Sequence, residues 1–155
     1  HGGTVISMAG DNLLVGFGVL GGRGDGAEQA ILAAVAMRDA IARRVGDWNA
    51  RYAVSTGVGI ALSRGDVVAG NVGAFEFMSF TLIGEPVNVA ARMSKQCRAG
   101  EILLTGGLAG VARRLGLAVK PLARVSPLGL QSADVHCVYT EPERPRGRGH
   151  HAADA

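Results

Sequence analysis

The sequence is short of aromatic residues, of cysteine and of long apolar runs, and each shortage excludes something. Aromatic residues make up 5% of the chain, so an interior has to be built from Val, Leu, Ile and Ala. The two cysteines, Cys97 and Cys137, are far apart in sequence. Without close spacing they form neither a zinc-ligand pattern nor a disulfide framework. They read as reduced thiols, at least partly buried, in a cytosolic domain. No apolar run approaches the roughly 20 residues that span a bilayer, and no secretory signal is visible. No Lys/Arg cluster alternates with aromatics, and the net charge is only +3, so composition calls for neither nucleic acid nor a membrane as partner. The chain opens at His1, almost inside a strand. We read it as a fragment whose natural beginning is missing, which leaves absent targeting signals little weight.

What is present describes a globular domain. At 155 residues the chain is the size of one domain. Hydrophobic residues are 48% and charged residues 19%, a balance that buries a core and does not describe a disordered chain. Glycine is abundant at 24 residues, which points to tight turns and close backbone approaches.

The chain is organised around residues 81–93, TLIGEPVNVAARM. A short apolar strand turns at Gly84, and Pro86 sits where a helix begins, because its fixed φ suits the first turn and its missing N–H is not needed there. Asn88 and Arg92, four apart, share one face of the helix that follows. Val87, Ala90 and Ala91 supply its packing side, and Arg98 with Gly100 closes it. An amide beside a guanidinium could clamp a polyphosphate. An ordinary amphipathic helix with a solvated arginine fits the same spacing.

Elsewhere the pattern alternates strands and helices. Residues 4–8 and 12–17 are apolar-rich runs on either side of a Gly10-Asp11 hairpin tip. Asp11 there is either a turn residue or a metal ligand. A helix is predicted over residues 27–45, capped by Asp25 with Glu28 closing a capping box. Its buried stripe is Ile31, Ala34, Val35, Ile41 and Val45, with Arg38, Arg43 and Arg44 facing water. Residues 52–62 alternate as a strand, with Gly57 and Gly59 marking a place where another element comes close. Residues 63–66, SRGD, turn the chain, and residues 67–72 return as that strand's hairpin partner. Further strands are predicted over residues 101–105, 117–123 and 135–139, with a helix over 106–115. The tail from Glu141 lacks apolar residues and reads as disordered, so residues 1–140 form the domain. Strands in hairpins mixed with helices predict an α+β class with a largely antiparallel sheet.

Two blocks resemble a known family. Residues 70–93, GNVGAFEFMSFTLIGEPVNVAARM, resemble the signature of class III adenylate and guanylate cyclases. In that family a glycine-rich strand leads to a Tyr-Thr or Tyr-Asp pair, an Ile-Gly turn, and a helix with Val-Asn and Ala-Ala-Arg. Residues 2–18, GGTVISMAGDNLLVGFG, resemble the family's hairpin, whose Gly-Asp turn holds a metal-binding aspartate. With EILLT at residues 101–105, the likeness runs from residue 2 to about 139.

The resemblance implies a ferredoxin-like cyclase fold whose first strand and helices are missing from this chain. It implies conversion of ATP to cyclic AMP and pyrophosphate by attack of the ribose 3′-hydroxyl on the α-phosphate, in intracellular signal transduction. It also implies two Mg²⁺ or Mn²⁺ ions that clamp the attacking and leaving oxygens. Asp11 matches one of the family's two metal aspartates, and the other falls before His1. Arg92 matches the arginine that stabilises phosphate charge in the transition state. Asn88 matches the asparagine that orients the ribose, and Thr81 the residue that contacts the purine. Metal ligands come from one chain of a dimer and Thr, Asn and Arg from its partner, which implies a homodimer or a heterodimer with another cyclase domain. One position departs: where the family carries a purine-binding lysine, this chain has Ser7. That leaves GTP open beside ATP. It also keeps open an alternative, a degenerate cyclase domain that binds nucleotide or dimerises as a regulatory module. Without the upstream aspartate, this fragment alone is expected to be inactive and marginal in folding.

Overall fold

The computed structural model describes residues 1–21, 26–74, 76–122 and 135–139. Among these residues the elements are β1 (Thr4–Ala9), β2 (Asn12–Gly16), α1 (Ala27–Tyr52), β3 (Ile60–Leu62), β4 (Val68–Val72), β5 (Ser79–Ile83), α2 (Glu85–Ser94), β6 (Ile102–Thr105), α3 (Gly106–Arg114), β7 (Ala118–Pro121) and β8 (Val135–Tyr139). The α+β class and the predominance of antiparallel pairing agree with the sequence. Among the described residues β3 alone pairs in parallel, with β6.

The core forms on a four-stranded sheet of order β3-β6-β8-β7. Its central strand β6 has three consecutive residues, Ile102, Leu103 and Leu104, with no exposed surface. A continuous apolar run of this kind is what a strand covered on both faces requires. Ile102 and Leu104 pack with Ile31 and Ala34 of α1, Leu108 of α3 and Val138 of β8. Leu103 points the other way, into a cluster with Val89 and Met93 of α2 and with Val135 and Cys137 of β8. Two hairpins stand beside this sheet, β1-β2 and β4-β5, with β1 packed next to β5.

Several boundaries differ from the sequence reading. Helix α1 runs on to Tyr52, seven residues past the predicted end at Val45, and Ala53 closes it in the left-handed region at φ 53° with its N–H on Asn49 O. The strand predicted over 52–62 is therefore reduced to Ile60–Leu62. Its alternation is real, but ladder contact begins only where Val58 O accepts from Gly100 N at 2.8 Å. The glycines of that stretch do mark a close approach: a Cβ on Gly57 would lie 2.7 Å from Ala99 Cβ, and one on Gly59 2.9 Å from Cys97 Cβ. The predicted hairpin between this strand and residues 67–72 does not form, because the 63–66 turn leads the chain out of the central sheet. β4 pairs with β5 instead, in the register Val68↔Ile83 to Val72↔Ser79.

The helix details are corrected too. The N-cap of α1 is Gly26, with no side-chain cap hydrogen bond, and Asp25 lies outside the described residues. Ala27, Ala30, Ile31, Ala34 and Arg38 form the buried face, so Arg38 turns inward instead of facing water. On α2 the buried residues are Val89 and Met93, whereas Ala91 is exposed. That helix ends at Ser94 with Lys95 as C-cap. Arg98 and Gly100 belong to the next turn, where Arg98 N donates to Glu101 Oε2 at 2.8 Å. Residues 123–134 and those from 140 onward, including the expected disordered tail, lie outside the described residues. Cys97 is partly buried and Cys137 buried, both in the thiol form.

Candidate functional site

The five candidate residues fall on two supports. Ser7 and Asp11 belong to the β1-β2 hairpin. Its strands pair from Thr4↔Gly16 to Ala9↔Asn12, with an irregularity between Val5 and Ser7. Gly10, at φ 62°, makes the tight tip and leaves Asp11 exposed beside it. Ser7 lies opposite Leu14 and is also exposed.

Thr81, Asn88 and Arg92 belong to a second, continuous unit, β5 followed by α2. Thr81 pairs with Gly70 across the β4-β5 hairpin and is half-buried, next to the buried Leu82. Gly84 is the hinge of this unit: a Cβ there would stand 2.9 Å from Asp66 O, so no larger residue fits the turn. Pro86 lies in the first turn of α2. Val89 and Met93 fix the helix against the sheet, and Asn88 and Arg92, one turn apart, remain exposed. Arg92 occupies the last turn, where a cation is favoured by the helix dipole. The amide and the guanidinium thus sit on an element anchored in the core, whereas the carboxylate sits on a hairpin tip.

A divalent ion fits this chain only in part. Mg²⁺ is held by one or two carboxylates together with substrate phosphates and water. Asp11 offers one such carboxylate, accessible and hard. Among the described residues no three His, Cys, Asp or Glu side chains group into a metal site. Asp11 by itself therefore makes no metal centre among the described residues.

Two features escape a linear reading. Arg38, assigned to the solvent face, is 7% exposed. Its sequence signal is its place in the i, i+3, i+4 series with Ile31 and Ala34. The other is the seating of the 63–66 turn against Pro86, for which nothing local in the sequence gives a sign.

Comparison with known proteins bears on the family and the fold. Residues 1–134 match the adenylate and guanylate cyclase catalytic domain. The crystal structure of the adenylyl cyclase CyaB from P. aeruginosa superposes with a TM-score of 0.79 at 26% identity, covering 92% of this chain and 74% of that one. The guanylyl cyclase Cya2 superposes with a TM-score of 0.70 at 25% identity, covering 88% and 69%. The uncharacterized protein Rv1319c of Mycobacterium tuberculosis is 40% identical over 93 residues, 60% of this chain and 16% of that protein. The chain thus spans about a sixth of the length of the curated relatives it matches. With a match over most of its length, and with the hairpin and the β5-α2 unit in the order the signature blocks require, the chain belongs to the adenylate and guanylate cyclase catalytic domain family.

Proposed function

We propose that this domain takes part in converting ATP to cyclic AMP and pyrophosphate. The observation that carries the reading is the β5-α2 unit, which holds Thr81, Asn88 and Arg92 together on one anchored support. In this reading Thr81 contacts the purine and Asn88 orients the ribose. Arg92 is a permanent cation with several donors, suited to the charge that grows on the phosphate in the transition state. Asp11 would hold Mg²⁺ or Mn²⁺, which when bound neutralises phosphate charge and makes the 3′-hydroxyl more nucleophilic.

Asp11 and Arg92 would act in the same site from opposite subunits of a homodimer, or of a heterodimer with another cyclase domain. The hairpins support this. Val5 and Met8 on one, and Val68 and Phe77 on the other, are more than half exposed, apolar side chains that a partner subunit could cover. No described helix is long and apolar enough to cross a membrane; we place the domain on the cytoplasmic side, with no direct membrane or nucleic-acid contact of its own.

Ser7 favours one second reading. It is short and uncharged where the family's lysine reaches the base, which fits a domain that binds nucleotide loosely, accepts GTP, or only regulates a partner. The deciding experiment is ATP and GTP turnover with Mg²⁺ and with Mn²⁺, using the parent protein with its upstream sequence. Cyclic AMP formation that is lost in Asp11→Asn supports the enzyme. Nucleotide binding without turnover under every metal selects the regulatory module.

A further inference from the structure

A groove of about 250 Å³ runs between the second half of α1 and the two backbone segments that pass beneath it, residues 56–58 and 99–100. None of the five candidate residues lines it. Ile41, Val45, Val58 and Ala99 are apolar residues of its lining, and Arg38 and Thr56 are the polar ones.

Arg38 is the anomaly. Its side chain is 8% exposed, and its Nε donates to Asp39 Oδ1 at 2.9 Å. Asp39 is its neighbour in sequence and 46% exposed, so this pair lies at the rim. A guanidinium has five N–H donors in a rigid fork. Among the described residues the bond to Asp39 is the one hydrogen bond that this fork makes. Arg38 is among the residues that line the groove. Asp39 meets the guanidinium at Nε, and the remaining donors of this nearly buried cation call for water or a further anion.

We propose that this groove is a binding site for a small aliphatic monocarboxylate, with Arg38 as its anchor. The fork of arginine matches the two oxygens of a carboxylate. The Thr56 hydroxyl adds a donor, and the apolar lining takes a short alkyl chain. A phosphate dianion suits the groove less well, because Asp39 already offsets part of its one cation. The site goes beyond the cyclase reading and does not depend on it.

The test is an NMR titration of the parent protein with its upstream sequence, ¹⁵N-labelled in this domain, with sodium butyrate, and with sodium chloride and 1-butanol as controls. Saturable shifts are expected at Arg38, Thr56, Gly57, Val58, Ala99 and Gly100 with butyrate alone. In Arg38→Met and Thr56→Val they should weaken, by about tenfold or more for the arginine. Thr56 is exposed, so its variant keeps the fold even if Arg38→Met does not. Absence of saturable shifts into the tens of millimolar overturns the proposal and leaves the groove to water. So does an equal response to chloride or butanol, or unchanged butyrate affinity in Thr56→Val together with either Arg38→Met or Arg38→Gln.

Discussion

A Cβ built on Gly65 would stand 2.6 Å from Cγ of Pro86. The 63–66 turn therefore rests directly on the first turn of α2, the helix that carries Asn88 and Arg92. Gly65→Ala should push these elements apart and cost about 1–3 kcal/mol, as overpacking does. Pro86→Ala removes the atom that is struck, so the double variant should recover most of the loss. Denaturant unfolding of the four proteins of this cycle gives the coupling. Additive losses would mean that Gly65 is needed for its backbone and not for the contact.

The central strand offers a second check. Leu103 and Leu104 are adjacent and fully buried, yet they belong to clusters on opposite faces of the sheet. Leu104→Ala opens a cavity under α1 and α3, and Leu103→Ala one under α2. Each should cost about 2–5 kcal/mol. Hydrogen exchange distinguishes the two: the α2 amides should lose more protection in Leu103→Ala, and the α1 and α3 amides in Leu104→Ala. The same loss in both helical layers would contradict the assignment of faces.

How far the sequence disclosed this structure follows from the range of the interactions involved. β8 begins and ends where its apolar residues do, and the β1-β2 hairpin is marked by Gly10-Asp11 at its tip, since both signals are local. The glycines of residues 57 and 59 also gave a correct sign of close packing, because a missing side chain is visible in sequence. Residues 53–59 misled because alternation reports which side chains match a face, not whether a neighbouring strand is there to pair. The choice of β5 over β3 as partner of β4 depends on where the 63–66 turn is seated. Arg38 misled because its charge outweighed its helical position. Residues 81–93 were recognised as the unit bearing Thr81, Asn88 and Arg92, whereas the packing face of α2 was displaced from Ala91 to Val89 and Met93.

Cys97 sets a pH dependence. Its Sγ–H points at Glu101 O, 3.3 Å away, and Ile60 O, 3.5 Å away. Burial, with the negative charge of Glu101 adding to it, pushes this thiol up to about 11 from 9.0. The folded state then holds the proton more tightly than the unfolded one. The resulting stabilisation is fully present below pH 9.0 and declines as pH rises through about 11. Unfolding of the wild type and of Cys97→Ser measured from neutral to alkaline pH should show the difference between them narrowing over that window. At neutral pH, Cys97 should also react with iodoacetamide more slowly than a free thiol. A rate equal to that of free cysteine would remove burial as the controlling factor.

The strongest demand of the cyclase reading falls on Arg92. The side chain is exposed and α2 is held by Val89 and Met93, so Arg92→Ala should leave the melting temperature nearly unchanged. If the guanidinium meets charge that develops only in the transition state, its loss should lower kcat with little effect on KM. The expected penalty is about 3 kcal/mol, on the order of 10²-fold in rate. Arg92→Lys should recover only part of it, because an ammonium lacks the planar fork. The measurement is steady-state cyclic AMP production by the parent protein with each variant. A raised KM at constant kcat would make Arg92 a ground-state phosphate anchor. An unchanged rate would remove it from the chemistry and leave the helix face with the ordinary solvated arginine that its spacing also allows.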